Sequence, residues 1–155
     1  MRHGTANLFV AIEAKAGRRT VAVTAHRGKA DFVAFARHLI EEVYASARHI
    51  HLVLDNLNTH ARKCFEDVLG KAQATRLLRH VRFHYTPKHA SWLNMAEIEI
   101  GILAKQCLGR RIPDRDALAR EIDAWACQRN AECRTIEWRF TRQDADYKMA
   151  RHYIS

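Results

Sequence analysis

Proline occurs only twice in this chain of 155 residues, at positions 87 and 113. Pro87 closes a β-type run by removing a backbone donor, and Pro113 is the only break that marks a segment boundary. There is no Gly/Ser-rich linker, low-complexity tract or internal repeat. One domain is therefore expected, with a core over residues 1–112 and a helical extension over 113–155 packed on it. No apolar run approaches the roughly 18–20 residues of a membrane span, and no signal-peptide pattern opens the chain, so a soluble, cytoplasmic protein with no membrane partner is expected.

Other absences exclude whole classes of chemistry. The four cysteines, Cys64, Cys107, Cys127 and Cys133, form no C-x-x-C pair. They suggest neither a zinc knuckle nor a disulfide framework, and read as reduced structural thiols. The ten histidines include no H-E-x-x-H spacing, which removes the usual zinc-hydrolase signature. A G-x-S-x-G elbow and a Gly-rich phosphate loop are also missing. Acidic residues are the scarcer charge, 17 against 26 Lys and Arg, giving +9 at pH 7 and a pI near 9.8. That excess points to a polyanionic partner, nucleic acid first and an acidic membrane surface second.

What is present reads as an α/β pattern. "TANLFVAIEAKAGRRTVAVTAH" holds two β-type runs, residues 8–12 and 20–24, around a turn at Gly17, which predicts a hairpin. Apolar residues recur at helical spacing over 30–47. "HIHLVLDN" gives a short buried strand over 50–54. A helix over 61–79 follows, then the strand "VRFHYTP", then a helix from an N-cap at Ser91 to Gly109. Two further helices are expected after Pro113, the second opened by a capping box of Thr141 and Asp144.

Asp55 ends the 50–54 run, at the carboxyl end of a buried strand, where open α/β sheets place ligand-binding groups. It suits either an Asx turn within "DNLN" or a cation ligand. Glu97 and Glu99 share the third long helix, about 200° apart. With Leu93 as origin, Glu97 falls near 40°, inside an apolar arc running from about 280° to 60°, and Glu99 near 240°, outside it. The spacing thus predicts an inward Glu97, paired with a basic residue or holding a cation, and a solvated Glu99.

The segments "LVLDNLNTH" and "FHYTPKHASWLNMAEIE" closely resemble the catalytic core of bacterial insertion-sequence transposases of the D-D-E class, in the mariner-like superfamily. The likeness runs from about Gly4 to the C-terminus. It implies a ribonuclease H-like fold, a mixed sheet flanked by helices, in which three acids hold two Mg2+ (or Mn2+) ions for DNA cleavage and strand transfer. By position, Asp55 matches the second acid and Glu97 the third. The family's first aspartate lies on a strand upstream of the segment that "GTANLFVAIE" resembles. The resemblance therefore implies the C-terminal part of a transposase, lacking its first strand, its first acid and a helix-turn-helix region, and inactive alone. Glu13 ends a neighbouring strand and is not expected to substitute.

Partners implied are DNA, as transposon ends and target, and either a second copy or the missing N-terminal half, with the protein nucleoid-associated when DNA-bound. His60, Lys88, His89, Arg110 and Arg111 are candidate DNA contacts, or else ordinary solvated charge. The competing class is a non-catalytic DNA-binding or dimer-forming remnant.

Overall fold

The computed structural model describes residues 5–87 and 90–153. Strand β1, Asn7–Glu13, pairs antiparallel with β2, Arg18–Thr24, with Asn7 opposite Thr24 and Glu13 opposite Arg18. Helix α1, Lys29–His38, continues into a π-turn over Leu39–Val43. Strand β3, Ile50–Leu54, pairs parallel with β4, Val81–Tyr85, through the crossover helices α2, Lys63–Leu69, and α3, Lys71–Leu77. Helix α4, Met95–Cys107, follows β4, and α5, Arg115–Ala131, and α6, Arg142–Tyr153, complete the order.

The strands form two separate pairs, β1–β2 and β3–β4, rather than one sheet. Two apolar cores flank them. Phe32, Val33, Ala36, Phe65 and Leu78 from α1 to α3 close over Ile50 and Val81, with Leu52, Leu54, Phe83 and Phe9 packed against them. Leu103, Cys107, Ile122, Trp125 and Ala126 of α4 and α5 close over Leu8, Val10, Val21 and Val23. Strand side chains alternate between faces, so the hairpin gives Phe9 to one core and Leu8 and Val10 to the other. It is the layer between them.

Two glycines explain where the chain turns. Gly17 has φ +65°, and a Cβ there would meet the Cys133 carbonyl carbon at 2.6 Å. Only glycine allows both the turn and the close approach of the segment after α5. Gly70, at φ +80°, divides the helix expected over 61–79 into α2 and α3. The capping box of α6 forms as expected: the Thr141 N–H and hydroxyl donate to Asp144 Oδ2 at 2.8 and 2.7 Å, and the Asp144 N–H donates to Thr141 Oγ1 at 3.2 Å.

Helix α4 corrects the sequence reading twice. Residues 91–93 form a 3₁₀ turn, and the cap is Asn94, whose side chain accepts from the Ala96 N–H at 3.1 Å. The buried face also lies elsewhere. Glu99, Leu103 and Cys107 face inward, while Glu97, Ile98, Ile100, Ala104 and Leu108 are exposed. The apolar arc assumed that every apolar residue seeks one core. The two arginines able to neutralise Glu99 lie on β2 and α5, so the helix turns that carboxylate inward and leaves an apolar stripe uncovered.

Candidate active site

β3 and β4 run parallel, so their carboxyl ends share one edge of the molecule, and Asp55 follows β3 directly. Its loop is tied to β4: the Thr86 N–H donates to the Leu54 carbonyl at 2.9 Å, and the Asn56 side-chain amide donates to the Thr86 carbonyl. The chain then makes a 3₁₀ turn, Asn58–His60, with the His60 N–H donating to the Leu57 carbonyl at 2.9 Å.

That turn returns His60 to Asp55, with Nδ1 at 2.7 Å from Oδ1. An ionised carboxylate only accepts, so Nδ1 carries the proton in this contact. The imidazole packs on Phe32, ring centroids 4.6 Å apart, and the Tyr85 hydroxyl donates to the His60 carbonyl at 3.3 Å. The Asp55 side chain keeps 24% of its exposure and His60 19%. The Asx turn is not formed: Asp55 bonds an imidazole rather than its own backbone. Among the described residues no hydrogen bond reaches Asp55 Oδ2.

From β4 the chain passes through Pro87 and the 91–93 turn into α4, which places Glu97 in the helix's first turn. A carboxylate there meets the positive end of the helix dipole. Glu97 is exposed, its N–H donating to the Asn94 carbonyl at 3.0 Å. No hydrogen bond or ion pair joins Asp55 to Glu97. Thr86, 6% exposed, holds a hydroxyl that makes no hydrogen bond among the described residues.

Asp55 and Glu97 are hard oxygen donors of the kind Mg2+ and Mn2+ prefer. Among the described residues no group of three or more His, Cys, Asp or Glu gathers to hold an ion. Among the described residues the two carboxylates are therefore not part of a gathered set of three.

Glu99 belongs to a different structure. Its carboxylate is fully buried and accepts from Arg19 Nε and from Arg129 Nε at 2.8 Å. Arg19 also donates to the Gly17 carbonyl at 2.8 Å, and Asn130 accepts from the Arg19 N–H at 2.8 Å and donates to its carbonyl at 2.9 Å. This network fastens α4 and α5 to the hairpin. Sequence reading missed it because Arg19 sits among residues that look like solvated charge.

The candidate DNA contacts separate. His60 is engaged with Asp55. Lys88 and His89 lie outside the described residues. Arg110 pairs with Glu121 at 2.5 Å, a hydrogen bond that raises its already high pKa, and Arg111 is exposed beside it.

No helix among the described residues is long and apolar enough to cross a membrane. No curated protein and no solved structure matches the chain. The family model described as DDE superfamily endonuclease matches residues 1–119, a span that holds Asp55, Glu97 and every strand. With that match over most of its length, this mixed α/β chain belongs to the DDE superfamily of endonucleases.

Proposed function

We propose that this protein is the greater part of a transposase domain of the mariner-like, insertion-sequence type, for metal-dependent cleavage and transfer of DNA strands on a ribonuclease H-like core. Asp55 and Glu97 are its second and third acids. The observation that carries this reading is Asp55 itself: it stands at the carboxyl end of a parallel strand, one oxygen held by His60 and the other without a hydrogen bond among the described residues. His60 acts as a positioning residue rather than the phosphate contact its sequence position suggested.

Asp55 and Glu97 would hold divalent ions, which would supply activation of the attacking oxygen and stabilisation of the leaving one. Two carboxylates are too few for a complete site, and three features support a missing strand that carries the first acid. Among the described residues β1 pairs only with β2 and β3 only with β4, so each keeps an edge without a strand there. Val53 is 54% exposed on β3. The Ile100 and Leu108 stripe beside Glu97 is also uncovered. One strand between β1 and β3 would join the two pairs and cover apolar surface that monomeric proteins rarely leave open. Residues 1–112 form the core of this domain and 113–155 its helical extension.

The test is a DNA cleavage and joining assay with Mg2+ or Mn2+. The chain alone is expected to be inactive. The chain supplied with an upstream strand-plus-aspartate segment is expected to act and to lose activity in Asp55→Asn and in Glu97→Gln. Joining by the chain alone, or activity that survives Asp55→Asn in the completed protein, would overturn the reading.

A further inference from the structure

A cleft of about 480 Å³ opens between the π-turn that ends α1 and helix α3. Its walls include Ala45, which precedes β3, and Arg79 and His80, which precede β4. The cleft therefore lies at the amino ends of the parallel strands, and Asp55 lies at their carboxyl ends. Five residues of strand separate the two, roughly 16 Å. The cleft is no part of the candidate active site.

Ile40 and Leu77 form an apolar floor, and Arg37, Arg76 and Arg79 stand around it. Arg37 Nε donates to Glu41 Oε2 at 2.5 Å, which neutralises one guanidinium. Arg76 and Arg79 are exposed and make no ion pair among the described residues. Two uncompensated guanidiniums thus converge on one concave surface. Guanidinium groups match phosphate oxygens in a two-point fork. The lining holds no Phe, Tyr or Trp, so it offers none of the aromatic platforms on which bases stack.

We propose that this cleft is a second DNA contact, remote from the catalytic edge, that grips the phosphodiester backbone through Arg76 and Arg79 without reading sequence. The proposal rests on the transposase reading, which supplies DNA as the partner. An acidic polypeptide, whose carboxylates also accept a guanidinium fork, is the competing occupant; the chain's net charge of +9 and its DDE endonuclease family favour DNA.

The test is fluorescence anisotropy of the full chain with a labelled duplex of arbitrary sequence over a salt series, with poly-glutamate as a second probe. Arg76→Ala with Arg79→Ala is expected to weaken DNA binding by tens of fold near 0.1 M salt and to reduce the slope of log affinity against log salt by about 1.8. Arg76→Lys with Arg79→Lys is expected to keep the slope and lose part of the affinity. Both positions are exposed, so thermal unfolding should be unchanged. Wild-type binding with an unaltered slope in the alanine variant would exclude the cleft and leave the transposase reading standing. Failure of the wild type to bind DNA at low salt would remove both. Binding of poly-glutamate in place of DNA, lost in the alanine variant, would assign the cleft to an acidic polypeptide and overturn the proposal.

Discussion

Glu97 and Glu99 stand on one helix and meet opposite environments. Glu99, fully buried, pairs with the buried Arg19 and with Arg129, and removing it leaves the Arg19 guanidinium uncompensated in the interior. Glu99→Ala is expected to cost about 3–5 kcal/mol in denaturant unfolding. Glu97→Gln, on an exposed side chain, should stay within about 0.5 kcal/mol. Equal costs would contradict the assignment of one acid to structure and the other to the site. The helical period separated the two residues correctly, but it could not say which side the fold covers, because the deciding partners are distant in sequence. Thr86 was not legible either. Its buried hydroxyl has no partner among the described residues, so Thr86→Val is expected to be neutral or to stabilise by up to about 1 kcal/mol. A loss beyond about 1 kcal/mol in chemical denaturation would mean the hydroxyl has a partner.

At the scale of elements, strands and helix starts were legible where local chemistry decides them. The runs at 8–12, 20–24 and 50–54 lie within β1, β2 and β3, and the Thr141–Asp144 box opens α6. The Thr141 hydroxyl bound to Asp144 holds that carboxyl below its ordinary value of 3.8. A carboxylate depressed by folding contributes its stability fully above the unfolded value and loses it as pH falls through the lower folded value. Amide protection at the start of α6 should therefore weaken progressively as pH falls through the ordinary carboxyl range toward the lower folded value, and Thr141→Ala should weaken that protection at neutral pH. Protection unchanged by the variant would show that the cap contributes nothing. The break between α2 and α3 was missed because a helical pattern tolerates one glycine, whereas Gly70 takes φ +80° and ψ +154°, a conformation other residues avoid. Gly70→Ala should cost about 1–3 kcal/mol through backbone strain alone, since open space surrounds it. Unfolding at the wild-type denaturant midpoint would refute this.

The whole molecule is two cores with a hairpin between them, and the two strand pairs do not meet as one sheet. The sequence motifs pointed to the family that the match over residues 1–119 shows, and offered Asp55 and Glu97 as its candidate acids, because both lie in short segments with a recognisable order. They could not reveal His60 beneath Asp55, the Arg19–Glu99–Arg129 network or the cleft at the amino ends of the strands, since each depends on residues brought together from separate elements. If Asp55 and Glu97 are acids of one metal site, an ion bound there lies near both. The most direct test is Mn2+ titration of the isotope-labelled chain, followed by paramagnetic broadening of backbone amide resonances. Signals around Asn56 and around Glu97 are expected to broaden together at the same Mn2+ concentration, and Asp55→Ala is expected to abolish both effects. Broadening at only one of the two segments, or at both but unaltered by Asp55→Ala, would contradict a shared metal site.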